Sequence, residues 1–126
     1  MDKIKLLLVD DEKDVLDSFV QLLEIENDFE LSSADNVTDA IKKIKSSPPH
    51  IIISDMRMPE SSGSILLEKV RELYPELPVI ILSGHSDESV ESVMNKGANE
   101  LWGKPVNMED LIAKIHQLVK KRPLAS

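Results

Sequence analysis

The sequence predicts a single α/β domain built on a doubly wound, five-stranded parallel sheet of order 2-1-3-4-5. Three observations lead there. The chain has 126 residues, the usual size of one domain. It contains short, wholly apolar runs, notably Leu6-Leu7-Leu8-Val9, Ile51-Ile52-Ile53 and Val79-Ile80-Ile81-Leu82, which read as strands covered on both faces. Between these runs, apolar residues recur at helical spacing. Strands alternating with helices imply βαβ units and a parallel sheet. Right-handed crossovers leave few topologies, and five strands are too few for a closed barrel.

Each element has its own warrant. The first strand runs from Ile4 to Val9 and stops at Asp10-Asp11. Val15, Leu16, Phe19, Leu22 and Leu23 then mark the apolar side of a helix. Phe29 to Ala34 alternates weakly, as an edge strand does. Asn36 caps a helix bearing Val37, Ala40, Ile41 and Ile44, with Asp39 placed as the acid of a capping box and Pro48-Pro49 as the stop. The Ile51 run ends at Ser54-Asp55. Ile65, Leu66, Lys69, Val70 and Leu73 form a third helix, closed by Pro75. The strand from Pro78 to Leu82 ends at Ser83-Gly84. Val90, Val93 and Met94 mark a shorter helix with Gly97 as its C-terminal cap. Leu101-Trp102 is a brief strand before Gly103-Lys104-Pro105, and Asn107 caps a last helix through Leu111, Ile112, Ile115, Leu118 and Val119. The domain is expected over residues 1–121, with 122–126 a tail or the start of a linker.

Composition excludes several classes. There are no cysteines, which removes disulfides, thiolate nucleophiles and cysteine-bound metals. The formal net charge of −8 leaves no surplus for a basic DNA-binding face, so direct nucleic-acid binding is not expected. Lys120-Lys121-Arg122 suits the C-terminal end of a helix. Four glycines build no nucleotide-binding loop, so the chain is not itself a kinase. The N-terminal apolar run is too short for a signal peptide or a membrane span, and a cytoplasmic protein is expected.

Polar residues fall where an open α/β sheet does its work, beyond the carboxyl ends of the strands. Asp10-Asp11, Asp55, Ser83 and Lys104 end strands one, three, four and five, which are neighbours in the expected order. Taken singly, each has a plain explanation as a helix cap, a turn residue or a surface loop. All four explanations would have to hold at adjacent strand ends. Three carboxylates in one pocket repel one another and favour a hard divalent ion such as Mg²⁺, which takes carboxylates, water and phosphate oxygens. Asp55 could then act as a carboxylate nucleophile toward phosphorus. Lys104 would neutralise charge, and Ser83 would donate to the new phosphoryl oxygen.

These motifs resemble the receiver domains of bacterial two-component response regulators along essentially the whole chain. They are Leu6-Leu7-Leu8-Val9-Asp10-Asp11-Glu12, Asp55-Met56-Arg57-Met58-Pro59 with Gly63, Leu82-Ser83-Gly84, and Lys104-Pro105. The resemblance implies a flavodoxin-like fold of five βα units, with Asp55 as phospho-acceptor. Asp10, Asp11, Asp55 and the backbone carbonyl of Arg57 would hold Mg²⁺, with Asp11 a direct ligand and Asp10 a partner through water. Ser83 would be the switch hydroxyl and Lys104 the phosphate-binding ammonium, turned inward by a cis bond before Pro105. Receivers usually carry an aromatic residue three positions before that lysine, whereas this chain has Leu101 beside Trp102, its only tryptophan. Trp102 is expected to pack on the sheet edge. Arg57 and His85 border the path of the hydrolytic water in the family, and their bulk is expected to lengthen the life of the phosphate. His50 and His116 read as structural or solvated.

The function expected is a switch that accepts phosphate from a histidine kinase or phosphotransfer protein and presents an altered face to a downstream effector protein or domain. It would assist only its own phosphorylation and dephosphorylation. Two alternatives are a small aspartate-nucleophile phosphatase, for which no cap is available, and a docking domain independent of phosphorylation. Homodimerisation through the last helices is compatible with the sequence but demanded by no residue.

Overall fold

The computed structural model describes residues 3–26, 28–58, 61–83, 94–95, 97–103 and 106–121, with the backbone alone at 57–58, 61–64 and 121. Five strands form the main sheet: β1 (Ile4–Val9), β2 (Phe29–Ala34), β3 (Ile51–Asp55), β4 (Val79–Ser83) and β5 (Glu100–Gly103). All pair in parallel, in the order β2-β1-β3-β4-β5, which is the doubly wound order that the apolar runs predict. The helices are α1 (Lys13–Glu24), α2 (Val37–Ser46), α3 (Gly63–Leu73) and α4 (Met108–Lys121). Met94 and Asn95 are helical too, while the remainder of the helix expected around Val90 and Val93 lies outside the described residues. No helix among the described residues is long and apolar enough to cross a membrane.

Alternation along the strands splits the core into two layers. Leu7, Val9, Ile52 and Ile81 pack with Ala40 and Ile44 of α2 and with Leu66 and Val70 of α3. Leu6, Leu8, Ile53 and Ile80 pack on the other face with Leu16 and Leu23 of α1 and with Leu111 and Ile115 of α4. The central strands β1 and β3 serve both layers, so Leu6–Val9 and Ile51–Ile53 are apolar without a break. That burial makes the sheet a rigid base for whatever sits at its ends.

Two helix faces differ from expectation. In α3 the inward residues are Leu66, Leu67 and Val70, all fully buried, whereas Ile65 and Leu73 are 42% and 44% exposed. The face is rotated because Leu67, not Ile65, completes the spacing with Leu66, Val70 and Tyr74. In α1, Leu22 is 47% exposed, since Leu16, Phe19, Val20 and Leu23 already form the inward stripe.

The caps follow the sequence more closely. Asn36 Oδ1 accepts the Asp39 N–H at 2.7 Å, and Asn107 Oδ1 accepts the Asp110 N–H at 3.1 Å. The Asp39 carboxylate turns to Lys43 at 3.5 Å. Gly97 adopts φ +108°, the left-handed conformation that a helix C-cap asks of glycine, and its N–H donates to Met94 O at 3.0 Å. A two-stranded antiparallel ribbon, Arg57–Met58 with Ser61–Ser62, lies between β3 and α3, where the sequence pattern assigns no element.

Candidate functional site

The site grows out of the strand register. Val9 pairs with Ser54, so the chain leaves β1 level with the last residue of β3, which is Asp55. One carboxylate oxygen from each of Asp10, Asp11 and Asp55 falls within 4.8 Å of the others. Asp10 and Asp55 are 5% and 9% exposed, so two of the three sit largely out of water. Asp11 is exposed.

Local hydrogen bonds hold these residues in place. The Asp10 N–H donates to Ala34 O at 3.1 Å, extending the β1–β2 ladder by one rung. Asp10 Oδ1 accepts the Glu12 N–H at 2.9 Å and turns the chain into α1. The plain reading of this acid as a turn former therefore holds for one of its oxygens. It coexists with membership of the cluster. At β3, Ser54 Oγ donates to the Asp55 carbonyl at 3.0 Å, and the Met56 N–H donates to Leu82 O at 2.9 Å. Asp55 pairs with Leu82, so Ser83, the last residue of β4, sits one position beyond the acceptor level.

Of the residues singled out in the sequence, Asp10, Asp11 and Asp55 come together, and Ser83 ends the adjoining strand opposite Gly103. Lys104, Pro105 and His85 lie outside the described residues, as does the side chain of Arg57. Leu101 packs against the layer shared with α2 and α3. Trp102 packs on the opposite face at the β5 edge, and its Nε1–H donates to Glu100 Oε1 at 3.1 Å. His50 is structural: its Nδ1 accepts the Lys5 N–H at 2.9 Å. His116 stacks at a tilt on Phe29 with centroids 5.7 Å apart and lies 3.6 Å from Asp28.

The donor set suits a hard divalent cation. All three side chains offer oxygen, and they converge at the carboxyl ends of β1 and β3, a donor set of the kind that a hard cation completes with water and phosphate oxygens. Sequence reasoning passed over Ser54. Its only signal is a hydroxyl inside the strand, directly after three isoleucines.

Residues 6–116 match the model of the response regulator receiver domain family. The chain belongs to that family. Proteins of this kind are receiver domains of two-component systems, which work as phosphorylation-dependent signalling switches and interact with histidine kinases and effector domains. The chain is 32% identical over 118 residues to the transcriptional regulatory protein YesN of Bacillus subtilis, covering 91% of this chain and 32% of that one. It is 33% identical over 119 residues to the C4-dicarboxylate transport transcriptional regulatory protein DctD of Rhizobium meliloti, covering 93% of this chain and 25% of DctD. The chain thus spans a third or less of these curated relatives. Among solved structures, a response regulator receiver domain protein from Clostridium thermocellum superposes with a TM-score of 0.88 at 32% identity, covering 94% of this chain and 95% of that one. A CheY-like receiver domain protein from Methanospirillum hungatei gives 0.86 at 34% identity, with 94% and 95% covered.

Proposed function

We propose that this chain is a switch operated by phosphorylation of Asp55, taking its phosphoryl group from a histidine kinase or phosphotransfer protein. The observation that carries the reading is the convergence of Asp10, Asp11 and Asp55 at the carboxyl edge of β1 and β3. An Asp55 carboxylate oxygen attacks phosphorus in line with the leaving nitrogen of the donor histidine. The P–N bond breaks, and the product is an acyl phosphate on Asp55. Held by Asp10, Asp11, Asp55 and the Arg57 carbonyl, Mg²⁺ would supply the positive charge that lets a carboxylate approach a phosphoryl group. The Lys104 ammonium pairs with the transferred phosphoryl oxygens. The Ser83 hydroxyl donates to one of them, a bond that exists only in the phosphorylated state and so biases the conformational equilibrium toward the form an effector recognises.

Incubation with Mg²⁺ and acetyl phosphate tests this directly. One acid-stable, base-labile phosphoryl group per chain is expected on Asp55, with Asp55→Asn unlabelled yet folded by circular dichroism. Label at another residue would refute the acceptor assignment. Continuous turnover of the acyl phosphate would favour a phosphatase, and no reaction would favour a docking domain.

A further inference from the structure

Ser54 is fully buried in the centre of the sheet, in register with Val9 on one side and Ile81 on the other. A hydroxyl at such a position is unfavourable unless it is hydrogen-bonded, and alanine would fill nearly the same volume. The Ser54 hydroxyl is bonded, at 3.0 Å, to the carbonyl of the very next residue, Asp55. The other polar group of that same peptide, the Met56 N–H, is bonded at 2.9 Å to Leu82 O on the neighbouring strand.

We infer that Ser54 is a positioning residue for phosphorylation, fixing the peptide plane that follows Asp55. This rests on the reading of Asp55 as acceptor. A peptide held at both its N–H and its C=O resists rotation about the line joining its α-carbons. Rotation there would redirect both the acceptor residue and the backbone that runs on to Arg57, whose carbonyl is the proposed third protein ligand. Without the Ser54 hydroxyl the plane loses one of these two restraints. In-line attack tolerates little misplacement, since an error near 1 Å can cost on the order of a hundredfold in rate. A partial loss of restraint should cost about tenfold.

The test compares wild type, Ser54→Ala, Ser54→Thr and Asp55→Asn in labelling by acetyl phosphate at saturating Mg²⁺, well below each melting temperature. In the reaction Asp55 attacks phosphorus, the bond from phosphorus to the acetate oxygen breaks, and acetate leaves. Ser54→Ala should reach the wild-type endpoint of one phosphate per chain on Asp55, at a rate about tenfold lower. Ser54→Thr, which keeps the hydroxyl, should recover most of the rate. A purely structural hydroxyl would lower the melting temperature and leave the rate of the folded protein alone. Ser54→Ala labelling at the wild-type rate therefore overturns this inference and leaves the acceptor assignment standing. An unlabelled wild type, or label that survives Asp55→Asn, overturns both.

Discussion

The two ends of the sheet are built on opposite principles. At the carboxyl end, three like charges lie within 4.8 Å of one another. At the amino end, a single guanidinium satisfies a ring of backbone carbonyls. Arg71 of α3 donates through Nε to Gly97 O at 2.9 Å, through Nη1 to Leu77 O at 2.6 Å and Tyr74 O at 3.3 Å, and through Nη2 to Asn99 Oδ1 at 2.8 Å. Asn99 Oδ1 also accepts the Val79 N–H at 2.9 Å, and the Asn99 N–H returns a bond of 2.9 Å to Val79 O. One side chain thus ties the end of α3 to the starts of β4 and β5. The His50 N–H donates to Lys5 O at 2.8 Å, which adds a rung below β3. Hydrogen bonds from one guanidinium gather at one end and carboxylates at the other, with a rigid sheet between them that holds both arrangements in place.

Arg71→Ala should break this comparison most severely at the cohesive end. It removes charge-assisted bonds to three carbonyls and one amide oxygen, and a loss of about 3 kcal/mol of folding stability is expected. Urea denaturation would show it as a lower midpoint. Arg71→Lys should recover only a minor part, because an ammonium cannot reproduce the planar fork. Labelling of Asp55 in the folded variant should stay close to wild type, since the described Arg71 bonds run to Gly97, Tyr74, Leu77 and Asn99 at the opposite end of the sheet. A large loss of labelling with little loss of stability would mean that the two ends are not separable.

Gly97→Ala strikes the same network from the other side. The position has φ +108°, and an added Cβ would meet Arg71 Nε at 2.8 Å and Cγ at 2.9 Å. A flexible arginine could step aside, but this one is held by its hydrogen bonds. Strain and displacement together should cost about 2 kcal/mol. On an Arg71→Ala background the displacement part vanishes, so the Gly97→Ala penalty should fall by about half. Equal penalties on both backgrounds would assign the whole effect to the backbone.

The sequence made the carboxyl end readable and left the amino end nearly silent, for physical reasons. Asp10, Asp11 and Asp55 stand out because acids directly after apolar runs have few alternative places to go, and the strand order then brings them together. The sheet itself was readable because strands covered on both faces admit almost nothing but apolar residues. Arg71 gave no comparable signal. On a helix surface, arginine is ordinary, and its partners here are backbone carbonyls that carry no sequence identity. Gly97 was legible as a cap through its residue type, but its contact with Arg71 was not. The register of the α3 face failed because Ile65, Leu66 and Leu67 are adjacent apolar residues, and spacing alone does not say which of them points inward. The Arg57–Met58 and Ser61–Ser62 ribbon was missed because two-residue strands fall below any periodicity.

Asp11→Asn addresses the repulsive end and should have the smallest effect of the three, with the opposite sign. Removing one charge from the cluster should stabilise the protein in EDTA and low salt by about 0.5 kcal/mol, small because Asp11 is exposed and screened. Adding Mg²⁺ should reverse the order. The wild type gains stability in proportion to RT ln(1 + [Mg²⁺]/Kd), whereas the variant, missing a proposed ligand, gains less. Thermal melts of both proteins in EDTA and across a Mg²⁺ series measure the two effects together. If Asp11→Asn is destabilised in EDTA, the carboxylates are not in net repulsion, and the contrast between the two ends rests on Arg71 alone. If the variant gains as much from Mg²⁺ as the wild type does, Asp11 is not a ligand and the cation is held by Asp10, Asp55 and backbone oxygen.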